Sequence, residues 1–185
     1  KKNIIVATDS SKIIKLWNKY NINTVITSKK CKTGTDRVFE VSKKINAKNY
    51  INVQGDEPIF NPKDLSIMVK NSLKKINNNK VLLGYCKFNS KKIMNNRNIP
   101  KVIFDKNKKL LYATRSPAPS QKNGLISKGY RQVLVYNYPK KIFQNFKKMH
   151  NKKNFLEKNE DIEILRFLEN GINVKLIKMS NKSKS

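Results

Sequence analysis

Gln54, Gly55, Asp56 and Glu57 stand where an apolar run, Tyr50, Ile51 and Val53, gives way to a turn. The run reads as a buried strand, and in an open α/β sheet the ligand crevice lies outside the carboxyl ends of the strands, so these four residues belong at its lip. Gly55 lets a ligand approach the backbone closely, while Pro58 ends the strand and holds the acidic pair on a turn. Asp56 is then a hard oxygen ligand suited to Mg²⁺, an ion that takes one or two carboxylates and completes its shell with water and phosphate oxygens. The bland alternative is an acidic turn followed by a helix cap.

Other residues could do chemistry, each with a plainer reading beside it. Thr33-Gly34-Thr35-Asp36-Arg37 precedes a helix, where backbone N–H groups and hydroxyls can meet an oxygen-rich ligand and Arg37 can donate as a fork to a carbonyl or phosphate. The same residues also make a capping box, Thr33 with Asp36. Arg115, in A-T-R-S-P, lies at a strand exit facing the same crevice and suits a carboxylate; the alternative is a solvated loop arginine. Glu160, Asp161 and Glu163 fall in the first turns of a helix, where compensation of the helix dipole alone explains them. The single histidine, His150, sits in a Lys-rich stretch beside no nucleophile, and Cys31 and Cys86 are far apart without C-x-x-C spacing. Neither a catalytic triad, a zinc site nor a disulfide framework follows, and two buried or semi-buried thiols are expected.

The elements that must position these residues alternate at first. Strands at Asn3–Ala7, Thr24–Thr27 and Tyr50–Gln54 are interleaved with three helices. The first carries Ile13, Ile14, Trp17 and Tyr20 on one face, the second Val38, Val41 and Ile45. The third opens at Asn61 and Pro62 and points Leu65, Met68, Val69, Leu73 and Ile76 inward. That order predicts βαβ units and a parallel sheet. Beyond Lys80 the pattern changes to strands at Val81–Phe88, Lys101–Phe104 and Leu110–Ala113, the last two a hairpin, then a Pro/Ser/Gly loop at 115–124 and an alternating strand at Tyr130–Tyr138. A helix from Lys140, a clear helix over Glu160–Asn170 stopped by Gly171, and a strand at Val174–Met179 follow; the tail Ser180–Ser185 reads as frayed.

One domain spanning 1–185 is expected, large enough for one core. A chain that starts in a strand at once, at Lys1 and without an initiator Met, reads as a fragment. No apolar run is long enough to cross a bilayer and no signal-peptide layout is present, so a cytoplasmic protein without a membrane partner is expected. The formal charge of +29 raises nucleic-acid binding. Its lysines are spread over nearly every segment, however, and only five residues are arginine, the side chain preferred for bidentate base and phosphate recognition. The charge therefore reads as compositional bias: no nucleic-acid partner is expected, and a basic nucleic-acid-binding α/β protein is the lesser alternative.

Taken in order, I-V-A-T-D at 5–9, T-G-T-D-R-V-F-E-V at 33–41, N-V-Q-G-D-E-P at 52–58, T-R-S-P at 114–117 and E-D-I-E-I-L-R-F-L-E-N-G at 160–171 resemble the 3-deoxy-manno-octulosonate cytidylyltransferases, or CMP-Kdo synthetases. The resemblance implies a Rossmann-like, three-layer α/β nucleotide-diphospho-sugar transferase fold with a mixed, mostly parallel sheet, acting as a homodimer. It implies an enzyme that joins CTP to a sugar acid for lipopolysaccharide precursors and releases pyrophosphate. Gly34, Thr35 and Arg37 match positions around the nucleotide, and Asp56 matches the magnesium-binding aspartate. Gln54 and Arg115 match sugar-acid contacts, with Arg115 and Asp56 counted as catalytic, while Tyr136 and Glu163 line the same pocket. The chain departs from the family at Gln132 and Cys31, where histidine is usual, and at Ile164, where glutamine is common. Gln132, close to the sugar, makes another 2-keto sugar acid, an amino-substituted octulosonate or a nonulosonate, the alternative substrate. The family's glycine-rich phosphate loop and second metal-binding aspartate lie outside the 185 residues, so little turnover is expected of this piece alone.

Overall fold

Val133 and Val135 alternate with Gln132, Leu134 and Tyr136 along β7 (Lys128–Pro139), the strand on which the main sheet is laid. The computed structural model describes residues 3–57, 59–120, 122–123, 128–146, 149 and 154–183. Pro58 and His150 therefore lie outside the described residues, as does part of the 115–124 loop. Along the chain come β1 (Ile5–Thr8), α1 (Ser11–Asn18), β2 (Asn23–Ile26), α2 (Gly34–Lys44), β3 (Asn49–Val53) and α3 (Pro62–Ser72). After a 3-10 turn at Lys75–Asn77 follow β4 (Val81–Asn89), α4 (Lys91–Asn95), β5 (Lys101–Phe104), β6 (Leu110–Thr114) and β7. The chain then continues through α5 (Lys140–Gln144), α6 (Phe155–Glu160), α7 (Leu165–Glu169) and β8 (Val174–Lys178).

The main sheet runs β6-β5-β7-β4-β8, with β3 added beside the C-terminal half of β7 from Val53↔Val135 to Asn49↔Pro139. It is mixed, as expected, but not mostly parallel. Only β4–β8 and the separate pair β1–β2 are parallel; β3–β7, β4–β7, β5–β6 and β5–β7 are antiparallel. The early βαβ pattern is thus confined to β1 and β2, and β3 joins the sheet through β7.

Alternation along β4 and β7 makes two cores. One face carries Leu83, Tyr85, Tyr136 and Tyr138 against Phe143 of α5, Phe146 and Phe167 of α7, with Val38 and Phe39 of α2 at its edge. Its rings interlock, Tyr138 lying 5.5 Å from Phe167 and 5.3 Å from Phe143. Each such buried ring contributes about 1.5–3 kcal/mol. The opposite face packs Leu82, Cys86, Val133 and Val135 on Met68 of α3. Three layers result, and among the described residues no helix is long and apolar enough to cross a membrane.

Two helices present faces other than the expected ones. α3 is capped by Asn61 with Pro62 in its first turn, as the residues require, and it buries Asp64, Met68 and Ser72. Val69, Leu73 and Ile76, expected to face inward, are 38%, 73% and 66% exposed. The buried polar residues have partners: Asp64 accepts from Ser180 N (2.7 Å), Ser180 Oγ (3.0 Å) and Ser183 Oγ (2.7 Å). Residues Ser180–Ser183 are therefore pinned rather than frayed. The helix expected over 160–170 is in fact two. α6 ends at Glu160, capped by Asp161, whose φ of 51° is left-handed, and α7 begins only at Leu165. Its stop at Gly171, with φ of 72°, is where the sequence puts it.

Candidate functional site

The segment between α6 and α7 touches all three motif-bearing loops. Its first contact is with the N-terminus of α2. Thr33 accepts from Asp36 N (3.2 Å) while Asp36 Oδ2 accepts from Thr33 N and Lys32 N (both 3.1 Å), the reciprocal cap read from sequence. This closed turn presents Thr35 N to Glu163 Oε2 at 2.9 Å, and Thr35 Oγ1 lies 2.7 Å from Tyr138 OH. Glu163 Oε1 accepts from Gln54 Nε2, which brings the end of β3 to the same carboxylate. Only glycine fits at position 34 without displacement, since a Cβ there would lie 2.8 Å from Gln54 Nε2. Burial raises the Glu163 carboxyl above its ordinary value, outweighing the hydrogen bonds from Thr35 and Thr33 and the charge of Arg166 that lower it.

Beyond β3 the acidic pair divides its work. Gln54 N donates to Leu134 O (3.2 Å) and Leu134 N donates back to Glu57 Oε2 (2.8 Å), so buried Glu57 staples the turn to β7. Asp56 is exposed. Tyr136, opposite Asn52 in the strand register, completes this wall: its ring stacks on Tyr138 at 5.9 Å and its hydroxyl accepts from Gln132 Nε2. Burial holds the Tyr136 phenol well above its ordinary value, with Glu163, Tyr138, Asp56 and Glu57 adding to the effect. The fields of Asp56 and Glu163 thus reach one hydroxyl. Gln132 is 3% exposed, and among the described residues its Oε1 has no hydrogen-bond partner.

Gly34, Thr35, Gln54, Glu163, Tyr136 and Gln132 are brought together, with Asp56 at their edge. Arg37 and Arg115 are held apart from this cluster by other partners. Arg37 Nη1 donates to Thr27 Oγ1 (2.5 Å) and Nη2 lies 3.4 Å from Asp9, tying α2 to the ends of β1 and β2. Arg115 is no solvated loop arginine. Its Nε donates to Glu160 O (2.6 Å), Nη1 to Arg97 O (3.0 Å) and Nη2 to Asp161 O and Oδ2 (2.7 and 3.2 Å), four of the five N–H groups a guanidinium owns.

Three further residues have roles that their sequence setting does not give. Glu160 accepts from Tyr112 OH (3.2 Å), Thr114 Oγ1 (2.8 Å) and Arg115 N (2.8 Å), so it clasps the exit of β6 rather than offsetting a helix dipole. Arg166 Nη1 meets Asp36 Oδ1 at 2.6 Å, while its Nε and Nη2 take both oxygens of Glu157. Lys101, wholly buried, donates to three carbonyls. The partners of Glu160 lie 45 to 48 positions away and Asp36 lies 130 from Arg166, while Lys101 gathers carbonyls of nearby turns that no residue type marks. The two thiols behave as expected: burial and Glu40 push Cys31 up to about 11, and burial pushes Cys86 up to about 11, so neither is a poised nucleophile.

The donor set suits one kind of metal site. Among the described residues no cluster of three carboxylate, histidine or cysteine side chains could cage an ion. Asp56 is an exposed carboxylate on the turn after β3, a hard oxygen ligand of the kind of which Mg²⁺ typically takes one or two.

A mixed sheet between two helical layers, with an acid-bearing turn at a strand end joined to a capped helix, defines an α/β protein whose ligand crevice lies at that strand end. The chain belongs to the cytidylyltransferase family, whose sequence profile matches residues 1–178, and within it to the 3-deoxy-manno-octulosonate cytidylyltransferases. It is 36% identical over 173 residues to the enzyme of that name from Koribacter versatilis, covering 92% of this chain and 64% of the relative. To the one from Thermodesulfovibrio yellowstonii it is 33% identical, covering 94% of this chain and 72% of the relative. A solved structure of CMP:2-keto-3-deoxy-manno-octonic acid synthetase complexed with CTP superimposes with a TM-score of 0.85 at 27% identity, over 95% of this chain and 71% of that one. The chain therefore spans about two thirds of the length of these relatives.

Proposed function

We propose that the protein carrying this chain couples CTP to 3-deoxy-manno-octulosonate, releasing pyrophosphate and forming the CMP-sugar, in the cytoplasm and as a homodimer. The observation that carries this reading is the shared carboxylate of Glu163. It joins Thr35 of the T-G-T-D-R turn to Gln54 of the Q-G-D-E-P turn, so the motif matched to the nucleotide and the motif matched to the sugar acid form one wall. The relatives' names, and the CTP bound in the solved structure, supply the substrate class.

In this reading Gly34, Thr35 and Arg37 hold the nucleotide, with Arg37 leaving Thr27 and Asp9 to donate to it. Gln54, Gln132, Tyr136, Glu163 and Arg115 orient the sugar acid. Asp56 would hold Mg²⁺, which neutralises phosphate charge when bound. The anomeric hydroxyl gives up its proton to water and its oxygen bonds the α-phosphorus as the bond from that phosphorus to the oxygen bridging the β-phosphate breaks, pyrophosphate leaving with that oxygen, without a covalent enzyme intermediate. Holding those two groups in line in a preorganised field does most of the work. The unpartnered Oε1 of buried Gln132 also suits a substrate that presents a hydroxyl or amino hydrogen there, which keeps an amino-substituted octulosonate as the second reading.

The test uses the full-length protein with CTP, Mg²⁺ and a panel of 2-keto sugar acids, followed by pyrophosphate release. Turnover with 3-deoxy-manno-octulosonate is expected, together with its loss by about a thousandfold or more in Asp56→Asn at unchanged melting temperature. Undiminished turnover in that variant sinks the metal assignment.

A further inference from the structure

We propose that Lys101 is a positioning residue for the sugar-acid side of the site, setting the course of the Thr114–Pro117 loop from beneath. This rests on the cytidylyltransferase reading above.

Lys101 opens β5, paired to Thr114 of β6 on one side and to Arg131 of β7 on the other, so its side chain starts at the exit of β6. Its relative exposure is 0%. Lysine is almost never fully buried without an ion-pair partner, because an ammonium removed from water is costly. Among the described residues Lys101 makes no ion pair; its three N–H groups go to Asn96 O (2.8 Å), Ile99 O (3.0 Å) and Arg115 O (2.9 Å). That is the full donor complement of an ammonium, spent on backbone. Burial, and then the charge of Arg115, push Lys101 below its ordinary value, with Glu160 pulling the other way. A methionine of similar length would fill the same space without that penalty. What the cation adds is geometry: it draws carbonyls from the 96–99 turn and from the T-R-S-P loop to one point.

Both ends of Arg115 depend on that point. Its carbonyl is fixed by Lys101 directly. Its guanidinium donates to Arg97 O at 3.0 Å, and Arg97 lies in the turn whose Asn96 and Ile99 carbonyls Lys101 holds. With Glu160 Oε2 on its N–H, the residue is gripped by main chain and side chain alike, and among the described residues four of its five guanidinium N–H groups are engaged, which leaves one for a ligand. Loss of the ammonium frees the Arg115 carbonyl and the 96–99 turn together, which moves that remaining donor.

Lys101→Met and Lys101→Arg in the full-length protein test this by steady-state kinetics with each substrate varied. Lys101→Met is expected to raise KM for the sugar acid about tenfold or more while KM for CTP stays within about twofold, and Lys101→Arg, which keeps a cation, to recover part of the loss. KM values for the two substrates that rise together, or a sugar-acid KM that does not move, would make Lys101 merely structural and overturn the proposal. If Lys101→Met does not fold, Lys101→Gln measures the same split between the two KM values, and the same two outcomes support or overturn the proposal. Wild-type protein that turns over no sugar acid with CTP would defeat the functional reading instead.

Discussion

The T-G-T-D-R turn and the T-R-S-P loop are both fastened to the stretch that runs from α6 through α7, by different chemistry. On the nucleotide side the fastening is charge on charge. Arg166 meets Asp36 and Glu157 at 2.6 and 2.5 Å, with side chains only 5%, 6% and 14% exposed. On the sugar side it is mainly charge on dipole: Lys101 and Arg115 donate to carbonyls, and Glu160 accepts from two hydroxyls and an amide, while the ion pair of Arg115 with Asp161 (3.2 Å) is made to an exposed carboxylate and is worth little. Removing one member of a buried ion pair strands a charge, whereas a carbonyl or hydroxyl freed at a loop can turn to water. The α2 turn is thus the fixed wall of the site, and the loop base is the part whose geometry can be retuned.

The sharpest way to break this contrast is Arg166→Met, for which the largest effect is expected. It leaves Asp36 and Glu157 without their shared cation, and about 3–5 kcal/mol of stability should go with it. Adding Asp36→Asn should recover part of that loss, because the neutral side chain can still accept at the turn without its charge. Urea melts of the wild type, both single variants and the double variant measure the coupling. Strictly additive losses would mean that the pair is not the fastening.

How much of this could be read from sequence depends on how local each feature is. The Thr33–Asp36 cap, Pro62 at the start of α3, the Gly171 stop and the turn after β3 are governed by neighbours within a few positions, and they stand where expected. The Asp36–Arg166 pair spans 130 positions, and Lys101 is one of 41 lysines and arginines, so no local pattern distinguishes either. Periodicity also misleads at α3, where Asp64 and Ser72 take buried positions because the Ser180–Ser183 segment satisfies Asp64. The acids at 160–163 suggest helix-dipole compensation because nothing in the residues announces the break at Asp161, which adopts a left-handed turn without glycine. That turn releases Glu160 and Glu163 to different loops. Three of the four antiparallel pairings involve β7, which is long enough for β3, β4 and β5 all to pair with it, and no local pattern in the sequence shows that.

A middle-sized effect is expected on the sugar side. Glu160→Gln keeps the shape but loses the charge that Tyr112, Thr114 and Arg115 donate to, at a cost of about 1.5–3 kcal/mol. Thermal melts beside those of Arg166→Met rank the two fastenings. A loss as large as that of Arg166→Met would erase the distinction between them.

Glu163 lies between the two regions, and its variant should have the smallest effect, one that depends on pH. Because burial raises its carboxyl in the folded protein, the native state holds this proton more tightly than the unfolded chain does. Below the ordinary carboxylate value near 4.5 both states are protonated and the contribution is whole. As pH rises from there through the raised value, the unfolded chain has already released its proton, and stability falls by at most about 1.4 kcal/mol per pH unit before levelling. Glutamine mimics the neutral acid, so Glu163→Gln should lack this fall. Glu40, held below its ordinary value chiefly by the Ser28 N–H, gives a slope of the opposite sign, and the informative quantity is therefore the difference between variant and wild type. Urea midpoints measured from pH 4 to 7 should show the two proteins close together at the acid end and the variant gaining relative stability as pH increases. Parallel curves would place the Glu163 proton in solvent and remove the carboxylate from the join between the two loops.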